Sequence, residues 1–354
     1  MNAADILIES TLKLSWMPEK TLGWKVCRKD GEKVRKALVE MGHFDRNRKI
    51  CSDESHVYLP ILGMDESEEV ELKKKADIEP VMIDFPAEVR APVPEDILGY
   101  SPSFEVVGDI ALVDEGDEGR VAAALMATCK SIKTVLAPIS DVEGEYRTRR
   151  FRHVAGEART TTIHREHGLR YLVDLEGAYF TPRLGTERLR VSRLVKPGDV
   201  VLDMFAGVGP YSLLLAKKGA SVIAIDKNPV AVKCLRENVR LNKIANIEII
   251  EGDSLQIAGR YESRVDHVIM NLPHTASSFL LPAIRAARQG GFVHYYCIAS
   301  EDDLYGDLAL IEKAAQEAGA EWEPLYKGIV RSYAPRRHNV VIDFRVKKAK
   351  KALI

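Results

Sequence analysis

The 354-residue chain has no apolar run approaching the roughly 20 residues of a membrane span. Cysteine is sparse. Cys27, Cys51, Cys129, Cys234 and Cys297 stand far apart, with no C-x-x-C pair and no histidine cluster. That spacing argues against zinc and points to a reducing compartment, the cytoplasm. An excess of charge of one sign is missing too: 51 Lys and Arg face 52 Asp and Glu, a formal net charge of −1. Global charge therefore does not mark a nucleic-acid binder, and any such role must rest on local clustering. Met1-Asn2-Ala3-Ala4-Asp5 lacks a basic region followed by an apolar core, so no secretory leader is expected there. No internal repeat or low-complexity tract stands out. What is present, 46% hydrophobic and 29% charged residues, describes an ordinary globular chain long enough for two or three domains.

The most informative stretch is Val200-Val201-Leu202-Asp203-Met204-Phe205-Ala206-Gly207-Val208-Gly209-Pro210-Tyr211. A β-branched run meets an Asp, then a glycine turn, then an apolar segment from Ser212 to Lys217: strand, tight turn, helix. Glycine there lets backbone approach a ligand closely, and the helix N-terminus behind offers unpaired N–H groups. Nineteen residues after Gly207 a second strand, Ser221 to Ile225, ends in Asp226. An acid at that strand tip can hold the two hydroxyls of a ribose. Lys227 and Asn228 follow it and join the candidate cofactor contacts. This is not the dinucleotide fingerprint, because Ser212 takes the third glycine position. The Asp-x-Phe-Ala-Gly-x-Gly form resembles class I S-adenosylmethionine-dependent methyltransferases. A third strand, Ile247 to Ile250, leads through Glu251 and Gly252 to Asp253, where such enzymes bind adenine.

Along the chain, residues 1–66 read as a small α+β unit. A strand over 22–27 precedes a helix from Gly31 to Met41 that Asp30 can cap, and a strand over 57–61 closes the unit. Residues 67–94, charge-blocked and then proline-rich, read as a linker or exposed helix. A second α+β unit spans 95–172. Its segment Tyr146-Arg147-Thr148-Arg149-Arg150-Phe151-Arg152-His153 is dense in arginine with aromatics interleaved, a stripe that suits a phosphate backbone and stacked bases. Read on charge alone, a solvated strand pair is the better reading, but the near-neutral total makes the local excess more telling. From 173 the last domain begins, with a hairpin expected around Glu176-Gly177 and a helix from Leu184 to Leu194. Strands over 200–203, 221–225, 246–250, 265–270, 292–297 and 339–345 alternate with helices, implying a parallel sheet with crossover helices and an antiparallel last hairpin. The fold class is α/β: a Rossmann-like domain of 173–354 behind two smaller α+β domains.

After the fourth of these strands comes Asn271-Leu272-Pro273-His274, at the carboxyl end where such sheets bind ligands. It resembles the Asn-Pro-Pro-aromatic motif of enzymes that methylate amino nitrogens, departing at Leu272 and His274. With Tyr-Phe-x-x-Arg-Leu-x-x-Glu-Arg at 179–188, the Asp-x-Phe-Ala-Gly-x-Gly-Pro turn, Val-Val-Gly-Asp-Ile-Ala at 106–111 and the arginine segment from Arg147, it resembles the archaeal and eukaryotic tRNA (guanine-N1-)-methyltransferase family across nearly the whole chain. The resemblance implies methyl transfer from S-adenosylmethionine to the guanosine just 3′ of the anticodon, by a three-domain enzyme whose first domain docks on the tRNA elbow. It implies Glu187 as general base, Arg147 stabilising guanine O6, and Asn271 and Pro273 holding the base. It places Tyr179, Arg183, Arg188, Asp203, Phe205, Gly207, Asp226, Asp253 and Asn271 around the cofactor, with Arg147, Arg149, Arg150 and Arg152 on RNA. It leaves room for magnesium, for which no ligand cluster predicts a site. A monomer is expected, since one chain carries all three parts.

Read without the family, Glu187 is a first-turn helix carboxylate paired with Arg183 or Arg190. Two other functions compete. A wyosine-pathway transferase would act on the same tRNA position by aminocarboxypropyl transfer or by methylation of carbon 7. The Asn-Leu-Pro motif speaks against the former, and Leu272, His274 and the N-terminal unit against the latter. A protein that binds tRNA or S-adenosylmethionine without catalysis is disfavoured by Glu187, Arg147 and Asn271 occurring together.

Overall fold

The computed structural model describes residues 20–88, 91–142 and 144–348. Met1–Asp5, read above for a leader, lie outside the described residues. The chain divides at Pro92/Val93 into two compact units.

In the first unit, β1 (Thr21–Cys27), α1 (Gly31–Glu40), β2 (Cys51–Ser52), β3 (His56–Pro60), α2 (Glu66–Lys75) and β4 (Ile78–Ile83) build an antiparallel sheet in the order β2-β3-β1-β4. Helix α1 packs Val34, Ala37 and Leu38 into a core with Trp24, Val26 and Leu59. Asp30 makes no capping bond. Its backbone is already helical, whereas a capping side chain needs an extended residue. The stretch expected as a linker is largely structured. Helix α2 starts on a reciprocal cap between Asp65 and Glu68 and buries Leu72. Strand β4 then pairs with β1 along the sheet edge. Only Ile78 of β4 is fully buried, and Pro80 sits where an edge strand tolerates it, so the apolar signal is faint.

The second unit opens with α3 (Pro94–Leu98), β5 (Phe104–Val107), β6 (Ile110–Val113), α4 (Glu118–Thr128), β7 (Thr134–Pro138) and β8 (Phe151–Gly156), with sheet order β5-β6-β7-β8. Next, β9 (Thr161–Glu166) and β10 (Leu169–Asp174) form a hairpin. The hairpin expected at Glu176-Gly177 therefore turns one strand earlier, at His167-Gly168. His167 and Gly168 both take positive φ, the backbone of the tight two-residue turn that matches strand twist.

The last domain runs through α5 (Gly185–Ser192), β11 (Val200–Asp203), α6 (Pro210–Lys217), β12 (Ser221–Asp226), α7 (Pro229–Leu241), β13 (Ile247–Glu251), α8 (Ser254–Ile257), β14 (Val265–Met270), α9 (Leu280–Ala286), β15 (Ala287–Ser300), α10 (Leu308–Glu317), β16 (Ala320–Ala334) and β17 (Arg337–Lys348). The seven-stranded order is β13-β12-β11-β14-β15-β17-β16. The first five run parallel, β17 runs antiparallel to β15, and β16 pairs antiparallel with β17. Neighbouring residues of β11 enter different cores, Val201 on one face and Leu202 on the other, as in a sheet covered on both sides. Strand β16 carries no position in the sequence reading. It is an edge strand with Pro324, Gly328 and three register shifts, and it lacks a clean apolar alternation. The sheet order reverses between β11 and β14, so a crevice opens at their carboxyl ends. No helix among the described residues is long and apolar enough to cross a membrane.

Candidate active site

A cavity of about 560 Å³ occupies that crevice, within the usual range for a small-molecule site. The β11–α6 turn supplies Phe205, Ala206 and Gly207; the tips of β12 and β13 supply Asp226, Lys227, Asn228 and Asp253; the segment after β14 supplies Asn271, Pro273 and His274. Tyr179 and Arg188 close one side, Tyr146 and Arg147 another, and the β16–β17 hairpin adds Arg331, Tyr333 and Asn339.

The turn is held from several directions. Gly207 has φ +56°, and a Cβ there would meet nothing nearer than the Tyr179 carbonyl at 3.9 Å, so its side-chain position opens on the cavity. Gly209, at φ +92°, caps α6 with Pro210 at the first helical position. The buried Asn238 donates to the Val208 carbonyl at 2.9 Å and ties the turn to β10. Asp226 Oδ2 accepts the Gly207 N–H at 2.6 Å and Oδ1 the Asn228 N–H at 2.8 Å. Each oxygen keeps a lone pair for a hydroxyl. Burial raises the Asp226 carboxyl, against those backbone bonds. Asn228 caps α7 and donates to the Gly177 carbonyl at 2.7 Å. Asp253 caps α8, and Lys227 reaches both Glu145 and Asp253. An open glycine turn, an acid with spare acceptors and a second acid at the next strand tip fit a nucleoside bearing an amino-acid tail.

Arg188 is almost wholly buried. It makes a two-pronged pair with Glu166 at 2.7 and 2.6 Å and donates to the Thr181 carbonyl. Arg147 holds a left-handed backbone, φ 55°, with its guanidinium 5.6 Å from the Tyr179 ring centroid. His274 meets Tyr333 edge-on at 5.1 Å. Burial lowers its pKa, and the charges of Arg147 and Arg337 add to that.

Three expected contacts lie off the cavity wall. Arg183 turns to Glu105 at 3.0 Å. Asp203 lies beneath the turn, accepting from Ser212 Oγ at 2.6 Å. Glu187 is buried and held by Arg190, whose Nε and Nη2 donate to it at 2.8 and 2.7 Å, and by the Tyr296 hydroxyl at 2.6 Å. Arg190 in turn donates to Asp343, which bonds His294, which bonds His267. Of the arginine stripe, Arg147 reaches the cavity, Arg149 and Arg150 are exposed, and Arg152 pairs with Glu118. Sequence reasoning missed Arg331, Tyr333 and Asn339. The available signal was Arg331-Ser332-Tyr333 ahead of Arg336-Arg337, the same mixture of arginine and aromatics that marked 146–153. Among the described residues no group of His, Cys, Asp and Glu is arranged to hold a metal ion.

Asp203 leads to a stability prediction. Burial pushes its carboxyl up to about 7, against about 3.9 in an unfolded chain. The folded protein then binds the extra proton between those values, so this group makes stability fall as pH rises from about 4 to 7. Asp203→Asn is expected to raise the melting temperature relative to the parent at about pH 8 and to leave it nearly unchanged near pH 4, the difference growing to as much as ~4 kcal/mol. Thermal unfolding across this range checks it, and a difference independent of pH contradicts it.

The chain matches known families over most of its length. Residues 23–69 match the tRNA methyltransferase 5 N-terminal domain, 88–160 the TYW2 N-terminal domain and 162–322 the TRM5/TYW2 methyltransferase domain. It is 41% identical over 338 residues to the tRNA (guanine(37)-N(1))-methyltransferase Trm5b of Pyrococcus abyssi, spanning 92% of this chain and 99% of that one. It is 32% identical to the tRNA 4-demethylwyosine(37)-methyltransferase Taw21 of Saccharolobus solfataricus, over 68% of this chain and 93% of that one. Among solved structures it resembles aTrm5 in complex with tRNALeu, with TM-score 0.64 and 34% identity over 92% of this chain and 99% of that one. With its own cavity at the switch point of a methyltransferase sheet, and two smaller domains ahead of it, the chain belongs to the TRM5/TYW2 methyltransferase family in its three-domain form.

Proposed function

We propose that the protein transfers the methyl group of S-adenosylmethionine to N1 of guanosine 37 of tRNA. The observation that carries this is one cavity lined by both a nucleoside-type cradle (Gly207, Asp226, Asp253) and Arg147, Asn271 and Pro273. The 41% identity with a Trm5b over nearly the full length supports the same target. Phe205, Gly207, Asp226, Lys227, Asn228 and Asp253 would hold the cofactor, with Tyr179 and Arg188 on the facing side. When bound, S-adenosylmethionine supplies an electrophilic methyl on a sulfonium sulfur.

Neutral guanine carries a proton on N1, and its lone pair there is not free. The proton must leave as the N–C bond forms, and the sulfur keeps the electrons of the bond that breaks. Glu187 is the base that receives the proton. Glu187 lies off the cavity wall in this structure, so to do so its carboxylate turns toward the cavity and exchanges part of its partnership with Arg190 and Tyr296 for the guanine edge. Loss of the proton drives charge onto O6, which Arg147 stabilises. A guanidinium also recognises that edge of guanine. Asn271 and Pro273 hold the flipped base. Asp203 and Arg183 act indirectly, Asp203 by fixing α6 beneath the turn and Arg183 by bracing the strand that holds Glu105.

The target base lies in a loop, where flipping costs less than from a duplex. Arg149, Arg150 and Arg152 take backbone phosphates. The first unit docks on the tRNA elbow. Its cleft of about 530 Å³ is lined by Arg35, Arg46, Arg48, Lys49 and Phe44 with one acid, Glu88, an excess of cations suited to an RNA surface. All three parts lie on one chain, which supports a monomer, and five unpaired cysteines suit the cytoplasm. Incubation with S-adenosylmethionine and an unmodified transcript is expected to yield N1-methylguanosine at position 37. An aminocarboxypropyl mass gain on wyosine-precursor tRNA, with no methyl product from the transcript, contradicts the proposal.

A further inference from the structure

We propose that the end of the β16–β17 hairpin, together with His274, is a subsite for a nucleotide flanking the target base in single-stranded RNA. The flanking base stacks on the Tyr333 ring, which His274 buttresses edge-on, Arg331 holds its phosphate, and Arg337 stands at the rim. This rests on the tRNA reading above and adds a contact surface to it.

Four observations carry it. Arg331, Tyr333, His274 and Asn339 line the same cavity as Arg147 and Asn271, so the subsite is continuous with the place proposed for the target base. Tyr333 and His274 form an edge-to-face pair at 5.1 Å and 69°, and Tyr333 remains 39% exposed. An exposed tyrosine ring braced edge-on beside a base-binding cavity is a stacking face for an unpaired base. Arg331 Nε and Asn339 Oδ1 are buried without a hydrogen-bond partner, and they face each other across the β16–β17 ladder. Buried polar atoms are normally satisfied, so two orphans on one cavity wall point to a missing polar ligand. Finally, the arginines of the hairpin differ. Arg336 is neutralised by Glu301 and Asp302, whereas Arg331 and Arg337 make no ion pair among the described residues. Arg331 thus lines the cavity as a cation without a carboxylate partner among the described residues, and its guanidinium can donate to a phosphate oxygen.

The test measures binding of a full-length tRNA transcript by the whole protein over a series of salt concentrations, with S-adenosylmethionine affinity measured alongside. Tyr333→Ala is expected to weaken tRNA binding about tenfold, the scale of one lost base stack. Tyr333→Phe stays within about twofold of the parent, because the ring is kept. Arg331→Ala weakens binding and lowers the slope of log affinity against log salt by about 0.7, one phosphate contact on a single strand. Arg337→Ala, on an exposed side chain, gives a smaller loss and guards against a folding defect at Arg331. S-adenosylmethionine affinity stays within about twofold throughout. Unchanged tRNA affinity and slope in these variants, with a parent that binds tRNA, overturns the subsite alone. So does weakened S-adenosylmethionine binding by Arg331→Ala with an unchanged salt slope, which gives that guanidinium to the cofactor. A parent that binds no tRNA overturns the functional reading itself.

Discussion

Replacing Glu187 by glutamine is expected to slow methyl transfer by about 10²- to 10⁴-fold, the range of a lost general base. S-adenosylmethionine and tRNA affinities should stay within a few-fold of the parent. The size follows from the chemistry: without a base, N1 must shed its proton to water in a closed cavity. The structure adds a complication that the test must respect. Glu187 is buried and accepts two bonds from Arg190 and one from Tyr296. An amide keeps the shape and the Tyr296 bond, but it turns one donor toward Arg190 and leaves that cation short of a partner. Removing one member of a buried pair costs on the order of 3 to 5 kcal/mol. Arg190 retains Asp343 at 2.7 Å, so the loss should fall at the lower end. Single-turnover rates must therefore be read with the melting temperature and with ligand affinities. A rate within tenfold of the parent in a folded, ligand-binding variant would leave Glu187 a structural partner of Arg190 and nothing more.

Arg147→Ala is expected to reduce turnover by about 10²- to 10³-fold, the cost of one donor to developing negative charge. It should also erode discrimination between guanosine and adenosine, because adenine has no O6 for the guanidinium to find. Arg147→Lys should recover only part of the rate, since an ammonium keeps the charge and loses the planar fork. Folding should be little affected. Arg147 is partly exposed, makes no ion pair among the described residues and touches the Tyr179 ring. Its left-handed backbone costs alanine about what it costs arginine. The neighbouring Arg149 and Arg150 provide the contrast. They are exposed and off the cavity wall, so their alanine variants should weaken tRNA binding and flatten its salt dependence while leaving the chemical step close to the parent. Loss of the chemical step in those variants, with Arg147→Ala active, would move the O6 role along the stripe.

What the sequence made legible was local. The glycine turn and Asp226 sit within twenty residues of one another, and each reads as a strand end followed by a turn. The pair Glu187–Arg190 was one of two that helix spacing offered, and Arg183, the other choice, turned instead to Glu105 in a distant strand. Tyr296 and Asp343 reach Glu187 and Arg190 only because β15 and β17 are neighbours in the sheet, a pairing that spacing along the chain does not encode. The Arg331-Ser332-Tyr333 stretch carried a compositional hint, but the pairing of Arg331 with Asn339 was hidden for the same reason. They become neighbours through the β16–β17 ladder, and β16 hides its period behind a proline, a glycine and three register shifts. The stretch over 67–94 misled because helix α2 needs only Leu72 for its core contact and β4 is an edge. Surface elements of that kind carry the composition of linkers.

N1-methylation of guanosine 37 is read from a single pair of reactions. Two unmodified tRNA transcripts, alike except for guanosine or adenosine 3′ of the anticodon, are incubated with the protein and S-adenosylmethionine, then digested for nucleoside mass spectrometry. The expected product is N1-methylguanosine from the first, with no methylated nucleoside from the second. Methylation of both, or a methyl group on guanine at an atom other than N1, would contradict it.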